Sequence, residues 1–359
     1  MPGMGTEIKA AGSPQSPSPD GVPHARLSQI QGVIDATYEK YKDVEDGAVA
    51  TYIPELGKAD PKHFGICLAT VDGHVFRAGD WDKEFTIQSM CKAFAFQMAL
   101  EQHGMDVTLK HVGVEPSGDP FNSIELDPKS SRPFNPMINA GAISIASLIK
   151  KSPVEAGIQA FVDHMSGAAG RQLRIDWSVM QSESLTGNRN RAIAYLMRNF
   201  GIIDERVTES LQQYFAQCSL LVTCQVMAMM GATLANMGIN PLTQEQVFDF
   251  QYIKDVLSVM FTCGLYDYAG EWAYRVGLPA KSGVGGGIIA VVNRQLGIAV
   301  YSPRLDEKGN SVRGIAACKD LGAHLGLHAF EFTNIGSSFF NWLSEEQRQE
   351  SEVPPEPAH

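Results

Sequence analysis

A serine and a lysine three residues apart, Ser89 and Lys92, stand at the start of an apolar, helix-forming run. Serine is a poor nucleophile at neutral pH and needs a base within hydrogen-bonding reach. Positions three apart lie on one face of a helix, so the Lys92 amine can be presented beside the Ser89 hydroxyl. Burial in so apolar a helix would lower the lysine pKa toward that of a useful base. The pair therefore predicts acyl transfer through a covalent serine intermediate.

A second element, Lys281-Ser282-Gly283, lies far downstream and is predicted to open a strand. Glycine at that position would let the backbone approach a ligand closely. A Ser-x-x-Lys helix start combined with a Lys-Ser/Thr-Gly strand builds a lysine-assisted serine nucleophile in penicillin-recognising enzymes. Ser-x-x-Lys alone is a weak signal, because an N-cap serine followed by an exposed lysine gives the same pattern.

Further polar residues stand at predicted helix starts or in glycine-rich loops. Asn139 opens a small-residue helix, while Glu183 and Asn190 flank a turn before another helix. Tyr214 precedes a Cys-Ser pair, and Tyr266 lies in a glycine-rich loop before a hairpin. Each of these residues taken alone could be a cap, a turn residue or a ligand.

The elements that must position these residues follow from hydrophobic periodicity. An amphipathic helix is predicted from about 27 to 41, and residues 137–262 are predicted to form a series of helices divided by Gly, Pro and Asn. Two hairpins are predicted near the ends of the chain, one over 64–77 and one over 288–301. Strands near both ends with helices between them indicate an α+β fold, in which one antiparallel sheet is assembled from distant segments around an inserted helical subdomain.

The expected domain boundaries follow from the same pattern. A catalytic domain is expected over 25–343, and its helical part over about 89–266. Its sheet part is expected to combine about 25–88 with about 267–343. Residues 1–24 are rich in Pro, Gly and Ser and residues 344–359 are acidic and Pro-rich, so both ends are predicted to be disordered.

Composition narrows the class of protein. The chain has 359 residues with a net charge of −11, and it has no basic stripe that would suit a nucleic acid. It has no apolar run of the roughly 20 residues that span a bilayer and no apparent export signal, so a cytoplasmic protein is expected. Six scattered cysteines fit a reduced chain. His324 and His328 have helical i,i+4 spacing but no evident third ligand, so no metal is expected.

Taken together, the motifs closely resemble the serine-dependent glutaminases, the family of bacterial glutaminases and of the catalytic domain of mammalian kidney- and liver-type glutaminases. The resemblance covers about residues 27–330. The matching blocks have the order and spacing of the family and are Tyr52-Ile53-Pro54, Gln88-Ser89-Met90-Cys91-Lys92, Glu115-Pro116-Ser117-Gly118, Asn135 through Ala142, Gln181-Ser182-Glu183, Val222-Thr223-Cys224 and Leu278 through Gly283. Ala93 departs from the family pattern, which often has a proline after the lysine.

The resemblance implies a role for individual residues. Ser89 matches the nucleophile, Lys92 the neighbouring base and Tyr266 a tyrosine implicated in proton relay. Tyr52 matches a tyrosine at the substrate pocket, and Val284 matches the residue whose backbone N–H joins that of Ser89 in the oxyanion hole. Four residues match those that bind the amino-acid head group of glutamine in the family: Asn139, Glu183, Asn190 and Tyr214.

The resemblance also implies a β-lactamase/transpeptidase-like fold, hydrolysis of L-glutamine without a cofactor, and a homodimer or homotetramer. It leaves open whether Lys92 or Tyr266 first accepts the serine proton. A penicillin-binding protein or serine β-lactamase shares the serine–lysine motifs, although those enzymes act outside the cytoplasm. A catalytically dead relative that only binds its ligand is a second alternative. Asparagine is one methylene shorter than glutamine, so fixed head-group contacts would leave its amide carbon short of Ser89.

Overall fold

The computed structural model describes residues 24–118 and 123–331. These residues form eleven α-helices and nine strands. The helices are α1 (His24–Tyr41), α2 (Cys91–His111), α3 (Asn139–Ile149), α4 (Val154–Ala169), α5 (Trp177–Thr186), α6 (Asn188–Asn199), α7 (Val207–Cys218), α8 (Cys224–Ala235), α9 (Ile253–Cys263), α10 (Ala269–Arg275) and α11 (Val312–Leu325). The strands are β1 (Ala48–Val49), β2 (Gly65–Thr70), β3 (Val75–Gly79), β4 (Phe85–Thr86), β5 (Leu221–Val222), β6 (Ala280–Ser282), β7 (Gly287–Val292), β8 (Leu296–Tyr301) and β9 (Arg304–Leu305).

Five of the strands form one antiparallel sheet in the order β3-β2-β8-β7-β6. Strand β2, from the N-terminal part, pairs with β8 in a register that sets Gly65 opposite Tyr301. The predicted α+β class, with an antiparallel sheet built from both ends of the chain, is confirmed. Two short pairs, β1 with β9 and β4 with β5, fasten outlying segments to this framework.

Alternation along the strands divides the core into two layers. On β2, Ile66 and Leu68 belong to the layer beneath α1 and α11, whereas Cys67 and Ala69 belong to the layer that includes α8. Successive strand side chains point to opposite faces, and helices cover both faces here, so all four are apolar. The second layer continues into α2, whose residues from Cys91 to Leu100 are all buried.

Some elements differ from their sequence predictions. Helix α5 was not predicted, because its apolar residues lack a helical period; its N-cap is Asp176, which accepts hydrogen bonds from Ser178 N and Val179 N at 2.9 and 3.1 Å. Lys281-Ser282-Gly283 was predicted to open a strand, and the observed strand β6 begins one residue earlier, at Ala280. Lys281 and Ser282 end the short strand β6, and residues 283–286 form the turn that leads into β7.

Part of the predicted domain division falls on residues 1–23 and 332–359, outside the described residues, and the division as a whole stays a prediction. Helix α1 begins at His24, slightly before the predicted start. Within residues 24–118 and 123–331, no helix has the length and apolar character needed to cross a bilayer.

Two glycines let α8 approach the sheet closely. A Cβ built on Gly297 in β8 would lie 2.3 Å from Ala228 O and 2.4 Å from Ala232 N, and one on Gly231 would lie 3.0 Å from Gly297 Cα. These are backbone atoms, so a side chain at Gly297 could be accommodated only by moving the whole helix.

We therefore expect Gly297→Ala to lower the free energy of unfolding by about 1–3 kcal/mol, the usual cost of overpacking. Urea denaturation followed by circular dichroism measures the change. Gly270→Ala is the matched control, because a Cβ there meets nothing within 4 Å. Equal unfolding midpoints for the two variants would contradict the close approach of helix and sheet.

Candidate active site

Ser89 lies in a 3₁₀ turn, Gln88–Met90, between β4 and α2. Its side chain is buried, and the preceding residue, Gln88, has a left-handed φ of +48°. Such a conformation is strained for a residue with a Cβ and is found most often at functional sites. The turn formed by residues 283–286, called the glycine turn below, lies against this segment, and a Cβ on Gly283 would be 3.4 Å from Ser89 N. Only a small residue allows so close an approach of two backbones.

The side chains of Tyr266 and Ser89 interact. Tyr266 starts a 3₁₀ turn, Tyr266–Tyr268, with a left-handed φ of +57°, and its hydroxyl donates to Ser282 O at 3.1 Å. Burial raises the Tyr266 pKa to about 12, an effect that the side-chain hydroxyls of Ser89 and Ser282 oppose. The phenol is therefore protonated at neutral pH.

Lys281 completes this side of the site. Its Nζ donates to the same Ser282 carbonyl at 2.7 Å and lies 4.0 Å from the centre of the Tyr266 ring. Burial, followed by repulsion from Lys92, holds the Lys281 pKa well below its usual value.

Lys92 lies one helical turn after Ser89, fully buried in α2. Its Nζ donates to Asn139 Oδ1 at 2.7 Å and to Met137 O at 3.4 Å. Burial lowers the Lys92 pKa to about 8. A substantial fraction of the amine is neutral near physiological pH, as a general base requires.

Three of the predicted head-group residues form one hydrogen-bonded group with Lys92. Asn139 is the first residue of α3, Asn190 lies in the first turn of α6, and Tyr214 lies near the end of α7. The Asn139 amide Nδ2 donates to Asn190 Oδ1 at 3.0 Å, and the Tyr214 hydroxyl donates to Asn139 Oδ1 at 3.3 Å. Three helices thus meet at the base of the site.

Glu183, on α5, is the only acidic member of the predicted set. Its carboxyl is buried and interacts with the side chains of Gln88 and Cys218, while Oε2 has no hydrogen-bond partner within the described residues. Burial, followed by repulsion from Cys218, raises the Glu183 pKa well above the usual range, and Lys92 acts in the opposite direction. An unpaired buried carboxyl oxygen is costly and indicates a site for a positively charged group.

Tyr52 and Val284 lie at the rim of the site. Val284, in the glycine turn, belongs to a small apolar cluster with Ile53 and with Val179 of α5. Tyr52 is 55% exposed, yet burial raises the pKa of its phenol well above normal, and Tyr266 and Glu183 act in the same direction. Exposure is averaged over the residue whereas the pKa reflects the hydroxyl, so we infer that the hydroxyl faces the site and a flank of the ring is open.

Three residues of the site had no assigned role in the sequence analysis. Gln88 contacts Glu183, Cys218 contacts both Glu183 and Tyr214, and Lys281 packs on Tyr266. All three stand within or beside motifs already noted, so adjacency to those motifs was the available signal. No group of three or more His, Cys, Asp or Glu side chains that could hold a metal occurs in the described parts of the chain.

The arrangement places the Ser89 hydroxyl beside Tyr266 and near two adjacent backbone segments, with the buried Lys92 amine one helical turn away and a group of buried polar side chains that includes one carboxyl oxygen unpaired within the described residues. That combination suits acyl transfer on a substrate that carries a cationic head group. The residues of this site are carried by α2, α3, α5, α6, α7 and the glycine turn.

Known proteins share both this sequence and this fold. A family model described as Glutaminase matches residues 47–330. A glutaminase of Trichormus variabilis is 53% identical over 310 residues, covering 86% of this chain and 93% of the relative. The structure of Mglu in its glutamate form aligns with a TM-score of 0.81 and 41% identity, covering 84% of this chain and 70% of Mglu.

A probable glutaminase from Bacillus subtilis, complexed with 6-diazo-5-oxo-L-norleucine, aligns with a TM-score of 0.77 and 33% identity over 90% of this chain and 100% of its own. The matched region contains every residue of the site described above. By sequence, by fold and by the extent of the match, this chain belongs to the glutaminase family.

Proposed function

We propose that this protein hydrolyses L-glutamine to L-glutamate and ammonia through a glutamyl ester on Ser89. The observation that carries the proposal is the buried Glu183 carboxyl, whose Oε2 is unpaired within the described residues, in the site that also holds the interacting side chains of Ser89 and Tyr266. The relative Mglu, solved in a glutamate form, supports an amino-acid ligand.

Recognition of the amino-acid head would follow from charge and hydrogen bonding. The α-ammonium of glutamine supplies the cation that Glu183 needs, and the carboxyl ionises as the ammonium approaches. The α-carboxylate accepts hydrogen bonds from neutral donors, for which Asn139, Asn190 and Tyr214 provide amide and hydroxyl groups. A ligand without this head would leave those buried groups unpaired.

The chemistry proceeds in two steps that share the same residues. Ser89 Oγ attacks the side-chain amide carbon while its proton passes to Lys92 or Tyr266, and a second proton transfer lets the C–N bond break and ammonia leave. Water then attacks the glutamyl ester, and the serine regains its proton as glutamate is released. Tyr266 interacts with Ser89 but is protonated at neutral pH, so it can take the serine proton only by passing its own proton on, whereas Lys92, with its lower pKa, can accept a proton as the neutral amine.

The oxyanion would be held by the backbone N–H groups of Ser89 and Val284. The close contact of the glycine turn with the Ser89 segment supports this assignment. Loss of one such donor costs roughly 3–4 kcal/mol in other acyl-transfer enzymes. No organic cofactor or metal enters these steps, and the homodimer or homotetramer implied by the family resemblance stays a prediction.

The covalent step is tested by measuring ammonia and glutamate release from L-glutamine by wild type and Ser89→Ala. Activity is expected in wild type alone, because alanine has no oxygen with which to form the ester. L-Asparagine is the substrate control and should react far more slowly. Glutamine hydrolysis by Ser89→Ala would exclude the ester intermediate. A wild-type protein without activity would show that L-glutamine is not the substrate.

The role of Lys92 is tested by the pH dependence of kcat/KM. The depressed Lys92 pKa means that the neutral, basic amine predominates above about pH 8. The rate should therefore rise with pH and level off near that value, falling about tenfold per unit at lower pH. Lys92→Arg keeps the cation but cannot give up its proton, so it should lose about 10²–10⁴ in rate together with this limb. If kcat/KM still rises with pH in Lys92→Arg, the group that titrates is not Lys92.

Head-group recognition is tested with Glu183→Gln, which keeps the shape of the side chain and removes its charge. The KM for glutamine should rise about a hundredfold, equivalent to about 3 kcal/mol, because the ammonium loses its buried counter-charge. The unfolding midpoint without substrate should stay level or rise, since the cost of burying the carboxyl is relieved. An unchanged KM would place the ammonium elsewhere.

A further inference from the structure

The segment that carries Tyr52 connects α1 to β2 with little regular structure of its own. Residues 42–64, called the Tyr52 loop below, contain only the two-residue strand β1 and one 3₁₀ turn, Leu56–Lys58. A loop of this length loses much conformational entropy when it is ordered. Other contacts must therefore hold Tyr52 in place.

The middle of the Tyr52 loop rests on the site itself. Its buried residues Ala50, Ile53 and Leu56 pack with Val284 and with Val179 of α5. The backbone N–H of Glu55 also donates to Ser182 Oγ at 3.4 Å, next to Glu183. The position of the loop is thus tied to the glycine turn and to the helix that carries Glu183.

Both ends of the Tyr52 loop meet at one buried guanidinium. Arg313, in the first turn of α11, is 2% exposed. Its Nη1 donates to Lys42 O at 3.0 Å and to Lys62 O at 3.2 Å, and its Nη2 donates to Pro61 O. Residues from the start and from the end of the loop therefore share a single donor group.

The same guanidinium reaches toward the glycine turn. Arg313 Nε donates to Ser302 Oγ at 2.8 Å, and Ser302 N donates to Gly286 O at 2.9 Å. All four hydrogen bonds of Arg313 go to neutral oxygens, and burial lowers its pKa from its usual value. Among the described residues no carboxylate forms an ion pair with this buried cation, and such burial is costly, so the directional hydrogen bonds of the guanidinium are what neutral residues could not replace.

We propose that Arg313 is a positioning residue for glutamine binding, which holds the two ends of the Tyr52 loop together and registers that loop against the glycine turn. This inference rests on the proposed function for the role of Tyr52 in the pocket. Arg313 touches none of the reacting groups and acts on glutamine binding through Tyr52, with Ser302 as its anchor beside the glycine turn. The planar fork of arginine suits this task, because its N–H groups diverge in fixed directions whereas a lysine ammonium is a single point.

The first arm of the test measures amide hydrogen exchange in wild type, Arg313→Lys and Arg313→Gln. Peptides from the Tyr52 loop should exchange about tenfold faster in both variants, while peptides from β2 and β8 should be unchanged, because local opening differs from global unfolding. If Arg313→Gln does not fold, hydrogen exchange is compared between wild type and Arg313→Lys alone. Unchanged exchange of the loop in a folded variant would overturn the proposal.

The second arm is a double-mutant cycle on the KM for glutamine with Arg313→Lys, Tyr52→Phe and the double variant. Each single change should raise KM about tenfold with kcat altered less than about threefold, and the double variant should resemble Tyr52→Phe alone, since the two residues act as one unit. Effects that multiply would show that Arg313 does not act through Tyr52.

Arg275→Lys is the matched control, because Arg275 is an exposed arginine of α10 paired with Glu271 at 2.7 Å. It should leave KM and loop exchange at wild-type values. A wild-type protein that neither binds nor hydrolyses glutamine would contradict the proposed function. The hydrogen-exchange measurement does not depend on glutamine, so it tests separately whether Arg313 orders the Tyr52 loop.

Discussion

Lys92 and Glu183 lie buried in the same pocket, and dehydration pushes both toward their neutral forms, lowering the first pKa and raising the second. No ion pair within 4 Å joins them among the described contacts, so neither fully compensates the other. Lys281 is driven in the same direction as Lys92. Ser89, Asn139 and Tyr214 around these ionisable groups are buried as well, so the charges of a bound substrate would restore the charges of those groups.

The framework meets that requirement by setting rigid elements against short, tight turns. Ser89 and Tyr266 both lie in 3₁₀ turns with a residue in the left-handed region, while Asn139, Asn190 and Tyr214 lie on helices. The sheet supplies the glycine turn between β6 and β7, which approaches the backbone of the Ser89 segment. Loops supply only the rim, and that is where Tyr52 depends on Arg313.

Hydrophobic periodicity and short sequence motifs predicted much of the fold and of the candidate site. Both hairpins, the antiparallel sheet from distant segments and the helices that carry Lys92 and Asn139 follow from alternation and from apolar runs. Helix α5 was missed because its apolar residues have no helical period, and the bounds of β6 were missed because three residues carry too little pattern. The left-handed Gln88 and Tyr266 have no signal in residue type, and the contacts of Arg313 depend on tertiary structure that local pattern does not contain.

The pairing of β2 with β8 bears on how the chain acquires its shape. Gly65 must find Tyr301, and every helix that carries a site residue is synthesised between the two strands. Contacts between such distant positions slow folding, because the entropy of loop closure is lost before the strands gain the free energy of pairing. On the ribosome β2 can pair at once with β3 but must wait for β8, so one edge of this hairpin stays unpaired during most of synthesis.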